Sequence, residues 1–265
     1  MKGEAMIEVR KKEFANGIVY AFRTDDGYLI ETTDTFLPYY TKNASHQKSN
    51  CLHDKTIGDR TERWMVGVST MSGCPVGCKF CATGTLKKWR NLTADEIVEQ
   101  VEFVIAKNKE NPLTAKEMKC NYTRMGEPFL NIKNVKEAIF ELNKRYPNMH
   151  HYVSTIGIKN SDFSWIKDNI TLQVSLHSLD ENRRNELIPL GGKMTIEELG
   201  QIRTQSNLKT TINLTLVDEK DFDIEKLKKW FDPRYFFIKL SPININTVSE
   251  KNHLGNGIIE AVNLI

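Results

Sequence analysis

Three of the chain's five cysteines lie within eight residues, in the run "MSGCPVGCKFCATG" at 71–84. Three residues separate Cys74 from Cys78, and two separate Cys78 from Cys81. Thiolates are soft metal ligands, and a cluster of three reads as a metal site in a reducing compartment rather than a secreted disulfide framework. A structural zinc closes with four ligands, usually as two separated pairs. This chain has no second Cys-x-x-Cys, so Cys51, Cys120 or a histidine would have to supply the fourth ligand from afar. Iron–sulfur clusters are also held by thiolates. Three thiolates on a four-iron cube leave one iron open to an outside ligand, as open catalytic metal sites do. The bland alternative is an incidental zinc or redox cluster.

Two further runs carry polar groups where ligands bind. In "RMGEPFLN" (124–131), Gly126 has no Cβ and lets a ligand approach its backbone. Glu127 can accept charge-assisted hydrogen bonds from an ammonium group, and Pro128 stiffens the turn. In "VSLHS" (174–178), strand alternation points Ser175 and His177 to one face and Leu176 to the other. Ser154 and Thr155 end another strand and Asn244 follows the last one, forming with the others a polar rim. Taken singly, each is an ordinary turn or a satisfied core group.

The elements that must position these residues alternate. Strands are predicted over 64–71, 117–125, 151–156, 171–179, 208–217 and 235–242. Helices are predicted over 93–107, 132–145, 161–168, 181–187, 195–205 and 223–231, the first with Thr93 as N-cap and Glu96 closing a capping box. Such alternation gives parallel strands with right-handed helical crossovers. Six units make a partial (β/α)6 barrel of the TIM-like kind, and the cysteines follow its first strand, at the edge where such folds carry chemistry. Ahead of it, residues 1–60 form a small β-rich extension. Its strands at 17–24 and 27–33 join through "DDG" into a hairpin, and a long polar loop covers 40–60. The expected division is 1–60 for the extension and 61–265 for the core.

Composition is that of a soluble globular protein, 40% hydrophobic and 27% charged, with a net charge of +3 that permits an anionic partner without arguing for one. No apolar run reaches the length of a membrane span and the first residues lack a signal-peptide core, so a cytoplasmic protein is expected. The basic run "KKWR" (87–90), with Trp89 interleaved, reads either as a nucleic-acid contact or as a solvated loop.

Cys-x3-Cys-x2-Cys is the spacing of the radical S-adenosylmethionine (SAM) superfamily, in which SAM chelates the open iron of a [4Fe-4S] cluster. An electron then cleaves the sulfonium to yield a 5′-deoxyadenosyl radical. The stretches "GCPVGCKFCATGTLKKWRNLTADEIVEQV", "MGEPFLNIKNV", "YVSTIGI", "VSLHSLDENRRNELIPL" and "KLSPININ" resemble, in order, the motifs of the RlmN/Cfr family. Those are radical SAM enzymes that methylate an adenine of 23S ribosomal RNA. The resemblance runs from about Phe14 to Asn246. It implies a radical SAM partial barrel, a [4Fe-4S] cluster on Cys74, Cys78 and Cys81, and SAM contacts from Gly126, Glu127, Ser154, Ser175, Leu176, His177 and Asn244. It also implies an electron donor such as flavodoxin or ferredoxin, and no membrane. Glu31, in "GYLIETT", matches the family's proposed proton acceptor; alone it is an exposed strand glutamate.

The departures bear on the reaction. The family uses two additional cysteines, one that carries a methyl group and one that resolves the protein–RNA cross-link. The resolving position, seven residues before Cys74, is Gly67 here. The segment expected to carry the other is not seen: the chain ends at "GNGIIEAVNLI", within what should be the last helix, and reads as truncated. Cys51 reads as a loop thiol and Cys120 as a small core residue; either would have to replace a missing thiol. The expected function is a radical SAM enzyme that abstracts hydrogen directly from an unidentified substrate. The alternative is an RNA adenine methyltransferase by a modified route. A non-catalytic SAM-binding protein is a third class, which the intact cysteine motif disfavours.

Overall fold

The computed structural model describes residues 6–39 and 57–255. Cys51, most of the polar loop and the end of the expected last helix fall outside the described residues. The strands are β1 (Met6–Phe14), β2 (Gly17–Thr24), β3 (Leu29–Leu37), β4 (Arg63–Gly67), β5 (Met71–Ser72), β6 (Arg90–Asn91), β7 (Glu117–Tyr122), β8 (Met149–Thr155), β9 (Ile170–Ser175), β10 (Thr210–Thr215) and β11 (Phe236–Ser241). The helices are α1 (Ala94–Ala106), α2 (Ile132–Arg145), α3 (Glu181–Leu187), α4 (Ile196–Gly200), α5 (Ile224–Trp230) and α6 (Thr247–Lys251). Nine strands join in the order β1-β2-β3-β4-β7-β8-β9-β10-β11, and β5 pairs with β6 apart from them. β1 to β4 pair antiparallel, whereas β4 pairs parallel with β7, and β10 pairs parallel with both β9 and β11. Among the described residues no helix is long and apolar enough to cross a membrane.

The chain forms two compact units. The first comprises residues 1–69, 92–124 and 133–151; the second comprises 70–91, 125–132 and 152–265. In the first unit, alternation along β2, β3 and β4 sends Tyr20, Phe22, Ile30, Trp64 and Val66 into the core. Phe103 of α1 meets Tyr20 and Phe22 edge-on, with centroids 5.2 and 4.7 Å away. Buried Asp34 is saturated: Trp64 Nε1, Arg60 and Asn108 all donate to it. One apolar cluster of the second unit joins the buried residues Val76, Ile156, Leu187, Ile188, Val217 and Ile243.

Six strands, β4 and β7 to β11, correspond to the six expected barrel strands. Several boundaries differ. The strand expected over 64–71 stops at Gly67: Val68 N–H still donates to Asn121 of β7, but Thr70 N–H and Met71 N–H turn to the Met125 carbonyl. Those expected to reach 125 and 179 stop at Tyr122 and Ser175. No helix forms over 161–168, where side-chain turns such as Asp162 accepting from Ser164 N–H capture the backbone instead. The helix expected over 195–205 closes at Gly200, where a Cβ would lie 2.3 Å from the Trp230 carbonyl. β1 escapes sequence reading because only Met6 of its nine residues is buried, so it shows no alternation.

Candidate cofactor site

The second unit holds the cysteine loop. β5 and β6 pair antiparallel, Met71 with Asn91 and Ser72 with Arg90, and so pinch the ends of residues 73–89 together. Gly73 makes the pinch possible: its φ is 68°, and a Cβ there would meet the Lys88 carbonyl at 2.6 Å. The loop is tied down from α3 and α6. Lys79 N–H donates to the Leu187 carbonyl (2.9 Å), and Asn246 and Asn252 donate to the carbonyls of Phe80 (3.0 Å) and Lys79 (2.9 Å).

Cys74, Cys78 and Cys81 are free thiols, and Cys74 and Cys78 pack on that apolar cluster of the second unit. Burial pushes the Cys74 thiol up to about 11 and that of Cys78 higher. Such thiols ionise only beside a compensating cation, which a bound metal group provides. Among the described residues, no three His, Cys, Asp or Glu side chains converge on a single ion.

Glu127 lies under this loop. It is 4% exposed. Its carboxylate accepts from Phe129 N–H (3.0 Å), Ile156 N–H (2.9 Å) and the Thr155 hydroxyl. Burial nevertheless raises its pKa to about 7. No lysine, arginine or histidine pairs with it among the described residues. Gly126 has φ 101°, and the space its side chain would fill is taken by Met71, whose Cβ would stand 2.6 Å away. The glycine therefore serves the crossing of Met71 as well as any ligand.

Ser154, next to the end of β8, and Ser175, the last residue of β9, place their hydroxyls 3.3 Å apart. Leu176 is buried, and its N–H donates to Asn213 (3.0 Å). The strand expected to carry Ser175 and His177 on one face ends before the histidine, which has a left-handed backbone, φ 65°. His177 is instead turned against Phe80 of the cysteine loop, ring centroids 4.8 Å apart. Its Nδ1 accepts from Thr215 N–H (3.0 Å), and burial, then the nearby Arg184, lower its pKa to about 3. The ring is thus neutral, with its proton on Nε2. Asn244 is exposed, and its carbonyl accepts from Asn246. Two neighbours of these residues were not anticipated. Asn246 caps α6 and holds Phe80, and its Asn-x-x-Ser capping box was a readable signal. Arg184 is fully buried within the polar run "ENRRNEL", which gives no hint of it.

Glu31 belongs to the first unit. It projects from β3 and pairs with Arg124 (2.7 Å), while Ser69 bonds its backbone on both sides. Cys120 is also there, buried on β7 and bonded to Tyr122.

Residues 68–231 match the family pattern described as the radical SAM superfamily. The chain is 30% identical to the dual-specificity RNA methyltransferase RlmN of Helicobacter hepaticus, over 96% of this chain and 67% of that protein. It belongs to the RlmN/Cfr-like radical SAM family. The probable RlmN of Pseudothermotoga lettingae is 34% identical over 67% of this chain and 54% of its own length. The chain thus spans about half to two thirds of the length of these RlmN relatives. The crystal structure of a radical SAM methyltransferase from Sphaerobacter thermophilus superposes with a TM-score of 0.70 and 25% identity, covering 98% of this chain and 72% of that one. The mixed α/β fold is accordingly that of the radical SAM partial barrel. Radical SAM proteins as a class take a [4Fe-4S] cluster and SAM.

Proposed function

We propose that the chain is a radical SAM enzyme whose Cys74, Cys78 and Cys81 hold the [4Fe-4S] cluster, and whose Glu127 receives the ammonium of SAM. The observation that carries this reading is the buried, uncompensated carboxylate of Glu127 close to the partly buried thiols of Cys74 and Cys78. A cation placed there is worth more than one in water, because the site is dry. Ser154, Ser175, Leu176, His177 and Asn244 complete the SAM contacts, His177 as a neutral Nε2–H donor. The bound cluster would supply the electron that opens the sulfonium, drawn from a low-potential donor such as flavodoxin or ferredoxin. The chain's own residues orient SAM and keep water from the apolar floor of the loop.

On the substrate side the reading is direct hydrogen-atom abstraction from an unidentified substrate, which itself releases no proton; Glu31 would accept a proton only in a later step on the substrate. Its support is that Gly67 bears no thiol, Cys120 is buried with its sulfur on Tyr122, and neither offers a reactive cysteine. Methyl transfer to RNA by a modified route is the second reading. It is favoured by the names of the relatives, which are RNA methyltransferases.

The test is anaerobic reconstitution followed by iron and SAM assays. About four irons per chain are expected, lost on Cys74→Ala, Cys78→Ala or Cys81→Ala, together with 5′-deoxyadenosine formation under reduction. Stoichiometric zinc without cluster absorbance would overturn the reading. A methyl mass gained by cellular RNA would select the second substrate class.

A further inference from the structure

Arg184 is a buried cation with no carboxylate within hydrogen-bond distance among the described residues. Its side chain is 0% exposed, and the nearest acid, Glu181, is 3.9 Å away. It spends its donors on two carbonyls. NH1 donates to Met194 (2.6 Å) and NH2 to Ile156 (2.8 Å), while Nε has no partner among the described residues. Burying a guanidinium is costly, and the position calls for a function that an apolar side chain cannot perform.

The two carbonyls belong to segments that run together. Met194 N–H donates to the Gly157 carbonyl (2.8 Å), Lys159 N–H to Gly192 (2.9 Å), and Ile158 forms a bridge with Lys193. Gly157 has φ 80° and would place a Cβ 2.4 Å from Leu199, so the turn is tight. Within it, the residue whose carbonyl Arg184 grips is the residue whose amide holds Glu127. Ile156 N–H reaches Glu127 Oε2 at 2.9 Å, and Gly157 N–H fixes the Thr155 hydroxyl that also bonds this carboxylate.

We propose that Arg184 is a positioning residue for the ammonium-binding carboxylate: its fork holds the 155–157 turn so that the Ile156 amide and Thr155 hydroxyl orient Glu127. The proposal rests on the reading of Glu127 as the SAM contact. The fork is essential, because one side chain must donate along two directions to two segments, which an ammonium on a flexible stem does less well.

The experiment is a double-mutant cycle on SAM affinity, measured by calorimetry on the reconstituted holoprotein. Glu127→Gln is expected to weaken SAM binding about ten- to hundredfold. Arg184→Lys and Arg184→Met are each expected to weaken it about tenfold in the native background, and to have no further effect in the Glu127→Gln background. The methionine variant keeps bulk without charge, and thermal midpoints of both variants establish that they fold. A second readout is amide exchange at Ile156, expected to accelerate in both variants relative to Val153. If Glu127→Gln weakens binding but the Arg184 variants do not, or if the effects simply multiply, the positioning role is overturned and the Glu127 reading stands. If Glu127→Gln leaves SAM affinity unchanged, the Glu127 reading falls, and the proposal with it.

Discussion

Glu127 is a residue whose chemistry opposes its stability. Its carboxyl is lifted from an ordinary 4.5 to about 7 by burial. Between those pH values the unfolded chain has released the proton that the folded chain still holds. Stability therefore falls as pH rises through this window and stays low above it. Removing the charge should restore what is lost. Glu127→Gln is expected to stabilise the cluster-free protein by about 2–3 kcal/mol at pH 8 and to leave it nearly unchanged at pH 4, read from urea midpoints. Equal effects at both pH values would mean that the carboxyl is not perturbed. Gly67 makes a different point. A Cβ there would meet Thr33 Oγ1 at 2.3 Å and Arg124 Cδ at 3.2 Å, so neighbours already fill the position at which the family resemblance leads one to look for a thiol. Gly67→Cys is expected to cost about 1–3 kcal/mol, part of it recovered by adding Thr33→Ala. A neutral Gly67→Cys would show that the space is open after all.

At the scale of elements, legibility followed local chemistry. The bounds of α2 were readable from apolar spacing and those of α1 from its capping box: Glu96 N–H donates to Thr93 Oγ1, and Thr93 N–H to Glu96. Elements decided by tertiary bonds were not readable. Thr70 and Met71 leave the line of β4 because the Met125 carbonyl accepts their amides, and His177 adopts a left-handed backbone because Thr215 N–H and Phe80 hold its ring. Gln100 is the clearest such case. From α1 it accepts from Ser69 N–H and Thr32 Oγ1, both at 2.8 Å, and donates to the carbonyls of Ser69 (3.0 Å) and Glu96 (3.1 Å). All four of its hydrogen-bonding sites are used. Ser69 in turn holds the backbone of Glu31, so the glutamine clamps helix, strand and candidate acceptor together. Gln100→Leu keeps the volume but leaves the amide and carbonyl of Ser69 without their partner. It is expected to cost about 2–4 kcal/mol by urea denaturation, and to quicken amide exchange at Ser69 and Glu31. A loss below about 1 kcal/mol would show that water replaces the clamp.

At the scale of the whole molecule, alternation alone was enough to read six strands and a partial barrel, and three cysteines mark where its cofactor chemistry is expected. What charge costs in the interior could not be read, because burial is a property of the folded chain. Each compact unit contains one histidine that burial drives from 6.5 to about 3: His151 in the first, between Tyr122 and Asn143, and His177 in the second. A histidine with a lowered pKa stabilises fully above its unfolded value, and the stability is lost as pH falls toward the folded one. Between pH 7 and 5 the two together should remove about 4 kcal/mol. Glu127 acts in the opposite sense over the same range and returns about 2 kcal/mol as it takes up its proton. The cluster-free protein is therefore expected to lose only about 1–2 kcal/mol from pH 7 to pH 5, and the Glu127→Gln variant about twice as much, by urea denaturation at each pH. Because the histidines lie in both units, secondary structure reporting on each should weaken over the same pH range. A Glu127→Gln variant whose stability is flat from pH 7 to pH 5 would remove the histidines from this account, since their loss would then have nothing left to mask it.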